Sequence, residues 1–328
     1  MFVHMNDVSF REYTHGTSLA PMAGVTDSAF RRICRRMGAA AVVTEMVAAA
    51  GISRRSVRSH KLLGFHPEEK PIGVQLFGRR AEDFASASEI VSGLGFDFVD
   101  INAGCPVRKV VGSGSGSALL RDIPALTAIV RAVCRGSSLP VSVKIRAGWS
   151  PEEPVPDSLP SILADEGASA LTVHGRYRTD MFSGAVRAGE IARMVENSPI
   201  PVIANGDVRS VRDAGRLMDA TGASGLMVGR GAMGNPWIFK SLALGREYVP
   251  GPDEVSAVIR EQCGMMEKYI PPEHIYHILR GHLLQYIRDF RGASMLRRRA
   301  TGVDCREDLE DILEEMEEHM RCEMRNRP

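Results

Sequence analysis

The sequence repeats one unit along most of its length: a short apolar, β-prone segment, polar residues at its end, and then a stretch with helical periodicity. The unit recurs roughly every thirty residues, the length of one strand-and-helix pair. Regular alternation favours a parallel sheet covered by helices. A count of eight strand segments favours a closed (β/α)8 TIM barrel, with an open doubly wound sheet as the alternative. The strand segments are predicted at 17–22, 40–44, 71–77, 96–101, 140–146, 170–174, 200–205 and 225–228.

The C-terminal part of the chain has a different pattern. Residues 252–328 contain no strand segment, and their apolar residues follow helical spacing. We therefore predict a barrel domain at 1–245 and a small all-helical domain at 252–328. Charge is separated within the helical part: 288–299 holds five arginines and one acid, whereas 306–318 holds eight acids and one arginine. The basic segment suits RNA phosphates, and it also suits an ordinary solvated helix face.

Composition narrows the class of protein. The 328 residues include 41 basic and 40 acidic side chains, a formal charge of +1, so the overall charge predicts no polyanionic partner. The six cysteines form no C-x-x-C pair and no cluster with zinc-ligand spacing, which predicts no metal site and is typical of a reducing compartment. No apolar run is long enough to cross a bilayer, and the N-terminus is not typical of a signal peptide. We expect a soluble, cytoplasmic protein without membrane contact.

Polar residues follow most of the predicted strands at their carboxyl ends. Because a barrel brings these ends together at one mouth, the pattern predicts a binding site there. Cys105 lies between Gly104 and Pro106, on a loop just past the fourth strand, and is either a reactive thiol or a buried structural one. The residues expected at the mouth include Met22, Ala23, Glu45, Gln75, Asn102, Cys105, Lys144, Arg146, His174, Arg176, Asn205, Asp207 and Arg230.

The loops after the seventh and eighth strands are rich in glycine. They carry Gly206 with Asp207, and Gly229 with Arg230. Glycine allows backbone N–H groups to approach a phosphate, and Arg230 can pair with its oxygens; ordinary tight turns are the alternative. Phosphate binding at this position is typical of barrel enzymes.

Three further side chains at the mouth suit a flavin. Lys144 is a cation for the N1/O2 edge of the ring, and Gln75 offers a donor and an acceptor for the O4/N3 edge. His174 suits either the ring or a phosphate, with a satisfied core histidine as its alternative. Together with the phosphate loops these residues suggest FMN. The absence of a G-x-G-x-x-G after the first strand argues against a Rossmann dinucleotide site.

Seven motifs in order resemble the tRNA-dihydrouridine synthases, most closely the bacterial B-type enzymes. The resemblance implies an FMN-bearing barrel followed by a helical tRNA-binding domain. It also implies that NADPH or NADH reduces the flavin, and that hydride passes to C6 of a tRNA uridine while a loop cysteine protonates C5. A monomer acting on tRNA is expected. The motifs are Leu19–Asp27, Val74–Gly78, Asp100–Pro106, Val143–Arg146, Val173–Arg176, Ile203–Asp207 and Met227–Gly231.

Carried over by position, the resemblance assigns roles to individual residues. Cys105 is the general acid, and Asn102 holds the uracil carbonyl. Apart from this carry-over, we expect Arg176 and Arg178, and Arg297 and Arg298 of the basic segment, to contact the RNA. The flavin is bound by Pro21, Met22 and Ala23 beneath the ring, Gln75 and Lys144 at its polar edges, His174, and Asn205, Gly206, Asp207, Gly229 and Arg230 around the phosphate.

The chain departs from B-type relatives in the loop after Cys105. Those relatives carry polar and basic residues where this sequence has a glycine- and serine-rich run, 112–117, which we expect to lead into a helix from Ala118. Two other functions stay open. One is an FMN barrel that reduces or oxidises a free pyrimidine such as dihydroorotate or uracil; the other is an RNA-binding barrel without chemistry. The arginines expected to extend an RNA track over the barrel are Arg31, Arg32, Arg35, Arg36, Arg54, Arg55 and Arg58.

Overall fold

The computed structural model describes residues 5–325. Eight parallel strands form one sheet in which β1 pairs with β8, and the order then runs through β7, β6, β5, β4 and β3 to β2. Backbone hydrogen bonds from Leu19 N to Ala41 O (2.9 Å) and from Ala40 N to Thr17 O (2.8 Å) join the two edges. The predicted TIM barrel is confirmed. Its strands are β1 Thr17–Leu19, β2 Val42–Val43, β3 Ile72–Phe77, β4 Phe98–Ala103, β5 Val141–Ser150, β6 Ala170–Tyr177, β7 Val202–Asn205 and β8 Gly225–Val228.

Helices connect and cover these strands. Asp27 begins α2 as the sequence predicts, since its carboxylate accepts a hydrogen bond from Phe30 N at 2.9 Å. The barrel helices are α1 Met5–His15, α2 Ser28–Arg36, α3 Ala49–Ser53, α4 Val57–Lys61, α5 Ala81–Ser92, α6 Arg108–Val111, α7 Ile123–Gly136, α8 Leu159–Asp165, α9 Ala188–Glu196, α10 Val211–Thr221 and α11 Ile238–Leu244. The helical region contains α12 Pro252–Met266, α13 Pro272–Tyr286, α14 Ala293–Ala300 and α15 Arg306–Arg325.

The helix expected from Ala118 is instead a 3-10 turn, Gly116–Arg121. Asp122 ends it, because its side chain accepts from Ala125 N at 3.0 Å and so caps α7, which has Pro124 in its first turn. Two short two-residue strands, Val47–Ala48 and Glu153–Pro154, extend the sheet beside β3 and β5.

Helix α1 closes the amino-terminal end of the barrel. The Tyr13 ring stacks on Phe98 at 4.2 Å between centroids, and its hydroxyl bonds Thr172 Oγ1 at 3.0 Å. Tyr13 and Phe98 belong to a small buried apolar cluster, which also contains Ala170 at the start of β6. The carboxyl end is therefore the open end, where barrel enzymes carry their sites.

The helical region packs on α2 and on Trp237. Ala29 and Ile33 of α2 and Trp237 belong to one buried apolar cluster with residues of α12–α15. Tyr269 Oη accepts a hydrogen bond from Ala29 N at 2.8 Å across the same contact. The two parts of the chain therefore share a core.

Four arginines expected to contact RNA bind to other groups of the protein. Arg31 is buried and donates to Glu69 Oε2 at 2.6 Å, and Arg32 pairs with Glu68 at 3.3 Å. Arg35 donates to the carbonyls of Ala39 and Ala40. Arg36 bridges Glu68 (2.7 Å) and Glu261 of α12. The expected RNA track is wrong at Arg31 and Arg32, which are buried. All four cations fasten α2 to its neighbours.

Candidate active site

A cavity of about 360 Å³ opens at the carboxyl end of the barrel. Its volume lies within the range of about 300–1,000 Å³ usual for small-molecule sites. The strand ends bring nearly all the barrel-mouth residues predicted from the sequence to its wall. Those that line it are Pro21, Met22, Ala23, Gln75, Asn102, Cys105, Lys144, Arg146, His174, Arg176, Asn205, Gly206, Asp207, Gly229 and Arg230. Glu45 does not line it, and its carboxylate accepts from Gly24 N instead.

A chain of hydrogen bonds runs under the Cys105 loop. Buried Asp100 accepts from Gln75 Nε2 at 2.7 Å and from Ser142 Oγ at 2.6 Å. Gln75 Oε1 accepts from Asn102 Nδ2 at 2.8 Å, and Asn102 Oδ1 accepts from Cys105 N at 3.0 Å. Because each amide both donates and accepts in this chain, its orientation is set. Asp100 thereby holds Gln75, Asn102 and the backbone of the cysteine loop.

Asn102 has a positioning role in this arrangement. Its amide oxygen also accepts from Gly104 N at 3.2 Å, and its amide nitrogen also contacts Met46 Sδ at 3.8 Å. The amide is therefore engaged with protein groups on both sides. A contact with a substrate carbonyl, as the resemblance implies, would require one of these bonds to be shared.

The Cys105 thiol is half-buried at the cavity wall. Burial raises its pKa above the ordinary value, although the positive charges of Arg146 and Lys144 oppose the shift. Arg146 also braces the loop, because it donates to Gly104 O at 3.0 Å and to Tyr177 O at 2.8 Å. At neutral pH the sulfur is protonated, so the thiol suits an acid better than a nucleophile.

Lys144 lies deep in the barrel and points towards the end of β7. Its Nζ donates to Asn205 Oδ1 at 3.0 Å, while Asn205 Nδ2 donates to Met227 O at 2.7 Å. Burial lowers the pKa of Lys144, and the attraction of Asp100 opposes this change. Asn205 thus holds the half-buried Lys144 cation at the cavity wall.

His174 is surrounded by cations. Burial, followed by the charges of Lys144, Arg146, Arg176 and Arg230, holds its pKa well below the ordinary value of about 6.5, so the ring is neutral. Arg176 Nη1 lies 3.1 Å from its Nε2. Because a guanidinium only donates, Nε2 is the acceptor and the proton is on Nδ1. Lys144, Arg146, Arg176 and Arg230 bring four positive charges to this part of the cavity, which suits an anionic group.

The loops after β7 and β8 meet beside these cations. Arg176 and Arg230 both pair with Asp207, the latter with an Nη2–Oδ1 distance of 3.1 Å. A Cβ on Gly206 would lie 2.5 Å from Val186 Cγ2, and one on Gly231 would lie 1.9 Å from Val208 O. Glycine is therefore required for the close packing of both loops. A phosphate bound here would share Arg230 with Asp207.

Three of the predicted RNA contacts lie away from the cavity. Arg178 stacks its guanidinium over Trp149 at 4.7 Å from the ring centroid. Arg297 and Arg298 lie in α14 of the helical region, where Arg297 donates to Ile287 O at 2.8 Å and Arg298 is exposed. Arg297 is therefore engaged in supporting the end of α13.

Some residues of the cavity wall were not predicted from the sequence. Phe182 is 52% exposed and lies at the rim, where its ring packs over Arg146 at 5.7 Å and its carbonyl accepts from Arg230 at 2.8 Å. Met46 and Met233 also line the cavity. An aromatic residue in a long loop carries no periodic signal, so only the fold identifies it.

Within residues 5–325 no group of three or more His, Cys, Asp or Glu side chains is placed to hold a metal ion. Over the same described range, no helix is both long and apolar enough to cross a membrane.

Comparison with known sequences gives a consistent result. Residues 18–322 match the family model described as dihydrouridine synthase (Dus). The chain is 36% identical to tRNA-dihydrouridine synthase B of Pseudomonas syringae pv. tomato over 301 residues, covering 89% of each chain. It is 34% identical to a probable tRNA-dihydrouridine synthase of Aquifex aeolicus over 304 residues, covering 92% of this chain and 94% of the relative.

Solved structures resemble the fold at low sequence identity. Histamine dehydrogenase from Rhizobium sp. 4-9 matches with a TM-score of 0.55 and 11% identity, covering 77% of this chain and 49% of that one. A morphinone reductase variant matches with a TM-score of 0.50 and 16% identity, covering 74% and 90%. These likenesses support the barrel fold. The match over nearly the whole chain and the identity to curated relatives show that this protein belongs to the dihydrouridine synthase family of enzymes.

Proposed function

We propose that this protein reduces the C5=C6 bond of specific uridines in tRNA, with FMN as its cofactor and NADPH or NADH as the electron donor. The observation that carries the proposal is the half-buried Cys105 thiol at the wall of a barrel cavity that Lys144 and Arg230 also line. The relatives named as tRNA-dihydrouridine synthases support the substrate class.

The residues present fit FMN. Lys144 and neutral His174 offer donors to the ring edge, and Gln75 retains amide capacity beyond its bonds to Asp100 and Asn102. Pro21, Met22 and Ala23 give the cavity an uncharged face. Arg230, with the glycine loops around Asn205, Gly206, Asp207 and Gly229, would hold the phosphate. When bound and reduced, the flavin supplies the hydride.

Cys105 provides the proton that the reduction needs. Addition of hydride at C6 of uracil places enolate charge over C5, C4 and O4, so a proton must reach C5. A thiol whose pKa is raised by burial keeps its proton at neutral pH and can donate it there. Asn102 and Arg146 hold the loop so that the sulfur faces the cavity.

The first experiment combines two measurements on one sample of purified protein. The visible spectrum should show bound flavin, and incubation with NADPH and unmodified tRNA should produce dihydrouridine at defined positions. Turnover of free uracil or orotate, with tRNA left unchanged, would instead support a small-pyrimidine enzyme. A colourless protein that does not bind added FMN would contradict the proposal.

The Cys105→Ala variant tests the acid. It should keep flavin and tRNA binding but reduce uridine more slowly by roughly 10²–10⁴-fold, the usual contribution of a positioned acid. In the wild-type protein the rate should fall only as the pH rises through the raised thiol pKa, above the ordinary value of about 8.5. Turnover of the variant at the wild-type rate would refute the assignment.

A further inference from the structure

Six exposed cations lie on the barrel rim near Cys105. Over residues 5–325 none of them has an acidic side chain within ion-pair distance. We call them the rim patch: Arg54, Arg55, Arg58, Arg79, Arg108 and Lys109.

Three neighbouring segments of the chain form the rim patch. The short strand Val47–Ala48 pairs with the end of β3, so α3 leaves the sheet beside the loop that contains Arg79. A Cβ on Gly78 of that loop would lie 3.6 Å from Ala49 Cβ at the start of α3. Ser53 at the end of α3 also donates to Asp83 Oδ1 at 3.4 Å. Arg54 and Arg55, which follow Ser53, are therefore close to the loop after β3. Arg58 lies in α4, which packs on α3 through Ser59 and Gly51.

The same loop contacts the segment that follows Cys105. A Cβ on Gly114 would lie 3.4 Å from Arg79 Cδ, so the Arg79 side chain lies along the glycine- and serine-rich run. That run is held by local bonds from Gly112 N to Arg108 O (2.8 Å) and from Ser117 N to Cys105 O (3.0 Å). Arg108 and Lys109 begin the same segment. A loop without charge of its own is thus flanked by cations from both sides.

The acids near this surface leave its charge largely intact. Glu82 pairs with Arg80, which is outside the rim patch, at 3.2 Å. Asp83 accepts the bond from Ser53 described above. The rim patch therefore presents uncompensated positive charge beside the mouth of the cavity.

The basic segment of the helical region is different. Arg297 is bound to Ile287 O, Arg299 pairs with Glu315, and Arg288 lies 3.7 Å from Asp289. Arg291 and Arg298 are exposed without an acidic partner among the described residues. The acidic helix α15 supplies Glu315 and adds negative charge to this region. The basic segment therefore offers less unpaired positive charge to a polyanion than the rim patch does.

We propose that the rim patch, rather than the basic segment of the helical region, is the main electrostatic contact for the phosphate backbone of tRNA. The inference rests on the proposed function, since it assumes that a tRNA strand delivers a base to the cavity next to Cys105. When exposed arginines without partners neutralise phosphates, the counterions bound to the RNA are released, which favours binding. A paired arginine must first break its ion pair with an acidic side chain. A strand crossing the rim patch would pass along the loop that contains Cys105.

The test compares two triple variants of the full-length protein. Arg54→Gln with Arg58→Gln and Arg79→Gln removes half of the rim patch. Arg288→Gln with Arg291→Gln and Arg298→Gln is the matched control in the helical region. Binding of unmodified tRNA is measured by a direct assay at several salt concentrations, with thermal unfolding as a check on the fold.

The rim variant should lower the slope of log affinity against log salt by about 2–3, and the control variant by about 1 or less, since each lost phosphate contact changes the slope by roughly 0.9. At low salt the rim variant should bind at least about tenfold more weakly. A larger decrease in slope for the control variant than for the rim variant would overturn the inference. An unchanged slope in the rim variant would also overturn it.

The binding assay does not depend on catalysis. Wild-type protein that binds tRNA through the rim patch but forms no dihydrouridine would sink the proposed function and leave the surface assignment standing. If the wild-type protein forms dihydrouridine but both variants show equal salt slopes, the proposed function stands and the surface assignment is wrong.

Discussion

Cys105 is held by contacts with several parts of the chain. Asn102 accepts from its backbone nitrogen, Arg146 donates to the carbonyl before it, and Ser117 N donates to its own carbonyl at 3.0 Å. Gly116 packs against the same residue with a φ of +60°. A Cβ there would lie 2.7 Å from Cys105 O and 3.1 Å from Cys105 Cβ. The position of the thiol thus depends on glycine at position 116.

At this scale we predict the effect of Gly116→Ala. The added methyl group would press on the Cys105 backbone, and a left-handed φ costs a non-glycine residue about 1–2 kcal/mol. Displacement of an acid by about 1 Å can cost roughly 10²-fold in rate. Dihydrouridine formation should fall by about 10- to 100-fold while flavin content stays the same. Gly215→Ala in α10, where a Cβ contacts nothing within 4 Å, is the control; equal rates in both variants would contradict the prediction.

Among the elements, α2 depends on a buried ion pair. Arg31 and Glu69 are 3% and 0% exposed, and Arg31 also donates to Thr26 O at 2.7 Å and Gly64 O at 3.3 Å. Glu69 further accepts from His66 N at 2.7 Å and from Ser28 Oγ. The pair therefore ties the start of α2 to the 3-10 turn Pro67–Glu69. These bonds offset the cost of taking two charges out of water.

We predict that Glu69→Gln destabilises the protein by about 3 kcal/mol or more, because it leaves the Arg31 charge buried without a counterion. Chemical denaturation of the folded protein measures the change. Glu82→Gln is the control, since its pair with Arg80 is exposed to solvent and its loss should change the stability little. A Glu69→Gln effect no larger than that of the control would show that the pair does not hold α2.

On the scale of the whole molecule, the barrel and the helical region share one apolar cluster. Trp237 is 1% exposed in that cluster, and its indole nitrogen donates to Glu254 Oε1 at 2.6 Å. Tyr248 Oη donates to the other oxygen of Glu254 at 2.7 Å. Because the two regions bury surface against each other, we expect them to unfold together.

Trp237→Ala should uncouple the two regions. Loss of a buried tryptophan costs about 3–5 kcal/mol, and here the loss falls on the shared cluster. Calorimetry should show a single transition for the wild-type protein and two transitions, or one at clearly lower temperature, for the variant. A single transition at the wild-type temperature would contradict this prediction. Flavin should be removed from both samples, since a ligand of the barrel shifts its stability separately.

The sequence alone determined the barrel and the place of its site. The period of strand and helix segments is local, so it can be read from neighbouring residues, and parallel strands then bring their carboxyl ends together. The Asp27 cap was predictable for the same reason, as was the gathering of Gln75, Lys144 and Asn205 at one cavity. The family assignment from motifs was likewise confirmed by the match over residues 18–322.

The pairing of the polar groups depends on contacts between distant parts of the chain. In the sequence, Arg31, Arg36, Arg58 and Arg79 are similar cations. The fold places Glu69 beside Arg31 and Glu261 beside Arg36. It leaves Arg58 and Arg79 exposed and without an acidic partner among the described residues. It likewise places the Asn102 amide under the cysteine loop. Such partners lie far apart in sequence, and the free energy of a charge depends on its nearest neighbours and its exposure to water, which local patterns do not contain.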